Sequence, residues 1–597
     1  MRFAALLAMM LGTTAPAAEP SLTIQTPMSP PEWALLQREL LRANTAACEE
    51  FFSRYFDERG YLLCVERWGG DDGPDDAIEC CNDWPHLHAL GAPDIVLRMY
   101  KKVWEGHLRQ YTAAKTTQVP FARDGMYYKE FPVMFDWQHN GEGLSVFNLQ
   151  GLSDPGDVAF GHRVRRFAGF YMNEDPGAAN YDSKHKIIRS LFNGSRGPLL
   201  RKATALDWAG DPIEVENRFR PLHGERSYKE MLAHFEEYTD IVGDHPLNLL
   251  STTLALNAYL LTGEEKYKRW LLEYVDAWRE RMAANGGIIP SNVGLDGKLG
   301  GETGGKWYGG AYGWGFTVTV PQTGEKAHRN RTHWGFIGFM NAYLLTRDDR
   351  YLAAWRKQAA TIDAAGKTID GRFMTPRMHG DNGWDAFEPG EYRLNALELY
   401  ALSQKPEDRR RVGNHAWLNY LDGKNPGYQA EALRRDLDRV RRQVRGMRAD
   451  TTTPDTRLAD DPMRFNPASV TSLIEQMQGG LHITHRAAAL FCRLRYFDPD
   501  RRRAGVPEDV AALVESLGDD TATVVLVNVN QTEPRTLVVQ GGAYAEHKLI
   551  AVTCEGRETA VGGSQLTVRL GPGCGARLTV RMERFVNRPT MAFPWAR

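Results

Sequence analysis

Two stretches of this chain are near copies of each other: Asn257-Ala-Tyr-Leu-Leu-Thr-Gly-Glu-Glu-Lys-Tyr267 and Asn341-Ala-Tyr-Leu-Leu-Thr-Arg-Asp-Asp-Arg-Tyr351. Such a repeat confines the fold to architectures made by stacking one unit. The unit reads as a helical hairpin: an apolar, small-residue helix ends at Leu-Leu-Thr and a short polar turn follows. Tyr267 or Tyr351 then opens a second helix that carries Trp270 or Trp355 in its first turns.

Looser versions of the turn occur at His88–Leu97, Asn148–Pro155, Asn395–Asp408 and Ala487–Asp498. Six hairpins can close into a ring, and the pattern predicts helix after helix from about Pro30 to Pro499. Turns inside each hairpin are short. Links between hairpins are long and rich in Gly, Asp, Asn, His, Trp and Tyr: Thr112 to Gly141, Met172 to His245, Asn285 to Thr332 and Asp370 to Arg393. Long loops in a compact domain usually carry function. Each precedes a small-residue helix, so the loops gather at one end of the ring, over the N-termini of its inner helices.

Six polar clusters fall at those expected N-termini. They are Trp68-Gly-Gly-Asp71-Asp72-Gly-Pro-Asp75-Asp76, Asp136-Trp137-Gln-His139-Asn140-Gly-Glu142, Asp244-His245-Pro-Leu-Asn248, His328-Arg-Asn330-Arg331-Thr-His333-Trp334, His379-Gly-Asp381-Asn382-Gly-Trp384-Asp385, and His482-Ile-Thr-His485-Arg486. Helix capping accounts for some of the Asp and Asn. It does not call for His, Trp and Arg as well.

The two ends of the chain differ from the middle. Arg2, the apolar run Phe3–Leu11 and Ala15-Pro-Ala17 read as a secretory signal peptide over residues 1–18, too short to span a bilayer, and imply a secreted or periplasmic protein with no membrane span. After about Val506 the pattern alternates with period two, in Thr521–Asn530, Arg535–Val539, His547–Thr553, Ser564–Leu570 and Gly575–Arg581, which predicts an antiparallel β-sandwich over 506–597. Lys and Arg number 73 against 75 Asp and Glu, a balance that argues against nucleic acid as a partner. Seven cysteines form no dense disulfide framework, with Cys554 and Cys574 the candidates for a pair.

The residue types in the clusters suit sugar chemistry, in which Trp stacks on the ring's C–H face and carboxylates bind hydroxyls and transfer protons. Asp136 to Glu142 joins these types within about one helical turn. Asn173 with Glu174, and Trp307, Tyr312 and Trp314 in a glycine-rich loop, repeat the mixture, the second as a wall for an elongated ligand. Arg331, with His328 and His333, suits an anionic group such as a uronate carboxylate. The Asp71–Asp76 run lacks the spacing of a calcium loop, and the His86/His88 and His482/His485 pairs read as core residues, so no metal and no cofactor are expected.

A mainly α, (α/α)6 toroid over 30–505 followed by a small C-terminal β-sandwich resembles the six-hairpin glycosidase superfamily and the toroid polysaccharide lyases. The resemblance implies a sugar-binding basin at the end carrying the long loops, and a poly- or oligosaccharide substrate. A hydrolase requires a carboxylate pair, drawn from Asp72, Asp76, Asp136, Glu142, Glu174 and Asp385, with Glu142 as general acid and Asp72 as its partner. A lyase requires a base and a neutraliser, drawn from His139, Asn140, Tyr312, Arg331 and His333. A glycan-binding protein needs only the wall and the hydrogen-bonding residues Trp68, Asp71, Asp76, Trp137, Asn140, Asn173, Trp307, Tyr312, Trp314, His328, Arg331, His333, Trp384 and Asp385. Oligomeric state is left open.

Overall fold

The computed structural model describes residues 20–65, 74–116, 119–209, 240–319, 326–483 and 486–597. The signal-peptide segment lies outside them, as do Trp68, Asp71, Asp72 and His485. No helix among the described residues is long and apolar enough to cross a membrane.

The repeated motif marks two inner helices, Thr252–Thr262 and Phe336–Thr346. Both end in the same cap. A residue in the left-handed region, Gly263 (φ 71°) or Arg347 (φ 55°), donates its N–H to Tyr259 or Tyr343 O at 2.7 Å. Thr262 and Thr346 bond back to the carbonyl four residues earlier, and each hydroxyl also accepts the N–H two residues on. The repeated Leu-Leu-Thr is therefore a helix stop, satisfying carbonyls that the helix end would orphan. The fifth hairpin uses it too, with Ser403 for Thr and Gln404 (φ 56°) at the left-handed position.

The repeated Asn ties neighbouring inner helices together. Asn257 Nδ2 donates to Asn148 Oδ1 at 2.7 Å, and Asn341 Nδ2 donates to Thr252 and Thr253 Oγ1, both at 2.9 Å. Inner helices are buried on every side, whereas an outer helix such as Glu265–Ala284 buries only one stripe, Tyr267, Trp270, Leu271, Tyr274, Val275 and Trp278. The ring closes where the last inner segment meets the first: His86 bonds Gln478 at 3.2 Å, Trp84 Nε1 donates to Asn466 Oδ1 at 3.1 Å, and His482 pairs with Asp83 at 2.9 Å. Outside, the helices Glu32–Tyr55 and Tyr428–Ala449 run side by side, joined by Arg441–Glu39 and Arg448–Glu50 ion pairs.

One expected hairpin is replaced. The sixth inner helix is Thr471–Gln478, not Ala487–Phe491, and the segment after Gly479 (φ 58°) is irregular. Its backbone polar groups are taken by neighbours: Ala487 N donates to Ser145 Oγ, Asn148 Nδ2 to Ala487 O, and Leu490 N to Tyr544 Oη. Tertiary partners override the helix propensity of Ala487-Ala-Ala-Leu, and the segment fills the ring's interior against Gly141, where an added Cβ would meet Leu250 at 2.9 Å.

The C-terminal strands form two five-stranded sheets, ordered by residue as 21–24, 565–570, 535–541, 494–498, 503–504 and 510–517, 521–528, 575–583, 548–554, 557–563. All five expected strands are present. The sheets extend beyond 506–597, because Ser21–Ile24 adds a parallel strand against Thr567–Leu570 and Leu494–Asp498 pairs with Val538–Gly541. Val510–Val514 is buried throughout, since the outer helix Glu32–Tyr55 covers it and Gln37 bonds the backbone of Ala512. All seven cysteines are free thiols, so the Cys554–Cys574 pair does not form.

Candidate functional site

The helix Trp137–Ser153 begins at Asp136, whose carboxylate accepts the N–H groups of Gln138 (2.8 Å) and His139 (3.1 Å). Both oxygens of this fully buried carboxylate also lie 2.9 Å from His139 Nδ1. A carboxylate facing Nδ1 holds the ring proton there and makes Nε2 the lone-pair nitrogen. Phe135 stacks on the imidazole with centroids 4.5 Å apart and fixes its plane.

Against this helix runs the short Pro74–Glu79 helix, which approaches closely because residue 143 is glycine: a Cβ there would meet Asp75 Cβ at 3.2 Å. The approach brings ligand atoms of Asp75, His139 and Glu142 to within 4.8 Å of one another. Burial pushes the Glu79 carboxyl well above the usual carboxylate range, and the charge of Asp75, one turn earlier on the same helix, pushes it further. Two carboxylates and an imidazole make an acid–base set. The same donors also suit a divalent cation, a possibility the sequence reading left aside.

A second group holds Arg331, His333 and Trp334 at the start of the fourth inner helix, Glu398 in the fifth, and Arg486 from the central segment. The Arg486 guanidinium sits 4.4 Å from the Trp334 ring centroid and that of Arg331 5.7 Å. Burial lowers Arg486, opposed by the charge of Glu398, and Glu142 acts in the same sense as Glu398. Glu398 is raised by burial. His333 is pushed down to about 3 by burial and by the charges of Arg486, Arg331 and Arg377, so it is a neutral imidazole at any ordinary pH. Trp334, Glu398, His482 and Arg486 share a cavity of about 60 Å³.

The expected site residues divide into those brought to this basin and those placed elsewhere. Asp136, His139 and Glu142 form one group with Asp75, and Arg331 and His333 form another with Trp334 and Arg486, linked to the first by the charge of Glu142 acting on Arg486, whereas Asp72 lies outside the described residues. Asp76 is buried beside Asp75. Trp137 is fully buried and donates to Asn193 Oδ1 at 2.9 Å, and Asn140 Nδ2 donates to Phe135 O and Asn193 O, so both pack the helix start and neither presents a sugar platform. Asn173 and Glu174 are exposed, with Glu174 paired to Lys266 at 2.8 Å. Trp314 is buried with Nε1 on Ile289 O, and Tyr312 is buried at φ 55°, so of the expected wall only Trp307 and Trp384 stay half-exposed, 6.1 Å apart. His328 is exposed and bonds Thr317, and Asp385 is exposed on the strand Gly383–Pro389. That strand and Arg372–Gly380 form a hairpin, so the fifth cluster lies on strands and not at a helix N-terminus.

Glu79 and Glu398 were not legible as site residues. Glu398 sits in an ordinary helical run, and only its burial beside Arg486 distinguishes it.

A family model described as "Domain of unknown function (DUF8034)" matches residues 21–373. The chain belongs to the DUF8034 family. No curated protein matches the sequence. Similar solved structures include an inactive variant of an α-1,6-mannanase of Salegentibacter sp. in complex with α-1,6-mannotriose (11% identity over 74% of this chain and 98% of that one, TM-score 0.31). Others are a D-mannose isomerase (8%, 74% and 97%, TM-score 0.36) and a family 76 mannosidase from Bacteroides thetaiotaomicron (10%, 73% and 99%, TM-score 0.33). The DUF8034 match holds Asp75, His139, Glu142, Arg331 and Trp334. It ends before Glu398 and Arg486, so the basin is completed from outside the matched region.

Proposed function

We propose that this member of the DUF8034 family is a carbohydrate-active enzyme, and specifically a glycoside hydrolase, that takes a poly- or oligosaccharide into the loop-end basin. The observation that supports the reading is the convergence of ligand atoms of Asp75, His139 and Glu142 within 4.8 Å, beside Glu79, whose carboxyl burial and the Asp75 charge push up. With one ligand atom of each residue inside 4.8 Å of the others, the group is more compact than the roughly 6.5–9.5 Å of an inverting pair, which favours retention, whose pair stands roughly 5–5.5 Å apart. Glu142, less buried than its neighbours, protonates the glycosidic oxygen while the Asp75 carboxylate attacks the anomeric carbon. The leaving sugar departs with that proton. Glu142, now ionised, takes a proton from water, whose oxygen displaces Asp75 and restores both groups. Because Glu79 keeps its proton, it does not oppose the Asp75 charge. In this reading Asp75 fills the partner role first expected of Asp72.

A second reading is favoured by the Asp136–His139 pair, which is the geometry of an oriented general base. Such a base would remove the C5 proton of a uronate and lead to elimination. One experiment separates the two. Purified protein is incubated with neutral and uronate-containing polysaccharides in the presence of a chelator, with reducing ends and ultraviolet absorbance both recorded. Reducing ends without absorbance, retained anomeric configuration and indifference to the chelator support the hydrolase. New absorbance supports elimination, and no turnover of any glycan overturns both.

A further inference from the structure

Arginines buried elsewhere in this protein direct their donors to defined partners. Arg163 pairs with Glu105 and with Glu130 at 2.8 Å, Arg584 pairs with Asp519 at 2.7 Å, and Arg38 and Arg495 donate to carbonyl oxygens at 3.1 and 2.9 Å. Arg331 and Arg486 do neither. Among the described residues neither guanidinium has a carboxylate within 4.0 Å; Arg331 Nε is buried without a hydrogen-bond partner, as are the Nε atoms of Arg38, Arg163 and Arg495, whose other nitrogens are bonded. Two more donor-capable atoms beside them, His333 Nδ1 and Trp334 Nε1, are also buried and unpartnered.

Both guanidiniums lie within 6 Å of the same indole, so two like charges are held together over one ring. Both side chains are half-buried, so each charge is partly desolvated without a partner, which is costly, as is leaving the buried donors beside them unmade. Glu398 and Glu142 act on Arg486 through space and do not contact it. The arrangement is complete only when an anion enters.

We infer that Arg331 and Arg486, stacked on Trp334, form a subsite for the carboxylate of an acidic sugar. A guanidinium fork matches a planar carboxylate with two parallel hydrogen bonds, and the buried indole holds the two forks in place. Burial is the main cause that lowers the His333 imidazole, and the charges of Arg486, Arg331 and Arg377 add to it. This rests on the proposed sugar chemistry of the basin and narrows its substrate class to uronate-containing glycans.

The test measures binding of glucuronate and glucose to the full chain by calorimetry, without turnover. Glucuronate is expected to bind at least about tenfold more tightly than glucose, a gap that shrinks as ionic strength rises. Arg331→Gln and Arg486→Gln should each remove most of that gap while leaving glucose affinity and the melting temperature near the parent values. Arg486→Lys, which keeps the charge and loses the fork, should restore part of it. Equal affinity for the two sugars, or a gap that survives both Gln variants, overturns the subsite. If either variant fails to fold, the parent's glucuronate-to-glucose ratio and its salt dependence still decide. A preference for glucuronate with no glycan cleaved sinks the hydrolase and leaves the subsite standing. Cleavage of neutral glycans without the preference does the reverse.

Discussion

Replacing Asp136 by Asn isolates what the buried carboxylate does for His139. Asn and Asp are nearly equal as helix N-caps, so the bonds from the N–H groups of Gln138 and His139 survive through Oδ1. The bond to the imidazole changes character. A charge-assisted bond contributes about 1.5–3 kcal/mol and a neutral one about 0.5–1.5, so the variant loses about 1–1.5 kcal/mol of stability and still folds. The amide Nδ2 takes the Oδ2 place 2.9 Å from His139 Nδ1, where two donors repel, and Oδ1, equally close, is already taken by the two backbone N–H groups. The ring proton moves to Nε2 and the lone pair turns toward residue 136. Acid–base assistance by a positioned side chain is worth roughly 10²–10⁴ in rate, so where His139 is the base of an elimination kcat should fall at least about 100-fold with KM little changed, whereas hydrolysis by Glu142 and Asp75 should stay near the parent rate. Nitrogen-15 correlation spectra of the imidazole read the tautomer directly and need no substrate. The reasoning is refuted if Asp136→Asn keeps the parent tautomer, and the elimination reading is refuted if kcat stays within about threefold, which is well under 1 kcal/mol of barrier.

Three further outcomes follow from the fold. Arg347→Gly should raise stability by about 1 kcal/mol and Gly263→Ala should lower it by a similar amount, because both positions hold the same left-handed cap; equal and small effects in thermal melts would contradict the shared cap. Asn257→Ala should cost about 1–3 kcal/mol in denaturant unfolding, since it strips a buried bond from Asn148, and a neutral result would remove the role given to the repeated Asn. Burial pulls the His482 imidazole down, but the charge of Asp83 and its hydrogen bond outweigh it and leave the group raised. A raised histidine contributes stability that is fully present below its unfolded value of about 6.5 and is lost as pH climbs through the folded value. Melting temperature should therefore fall from slightly acid to slightly alkaline pH, and His482→Gln should flatten that fall; an unchanged profile would show that the pair contributes nothing.

Much of the ring was legible because its repeats reuse one device. Leu-Leu-Thr with a left-handed residue after it is a local signal, and local signals survive in sequence. The central segment was not legible, because Ala487 to Phe491 has the composition of a helix and is held irregular by Ser145, Asn148 and Tyr544, hundreds of residues distant or in the other domain. The same holds for the acids. Asp75 and Asp76 look alike in sequence, and the close approach permitted at Gly143 places Asp75 in the group with Glu142. Trp137 and Trp314 looked like platforms, but an indole with its N–H bonded inside the core is filler. Strand Val510–Leu517 escaped because burial on both faces removes the alternation that marks a half-exposed strand.

The most direct test of the central claim compares Glu142→Gln and Asp75→Asn with the parent protein in glycan cleavage and, in parallel, in glycan binding by calorimetry. If these two carboxylates work as one acid–base pair in a common basin, each variant loses at least about 100-fold in turnover while its affinity for the uncleaved glycan stays within a few fold. Variants that cleave at the parent rate, or that lose binding and turnover together, would contradict it.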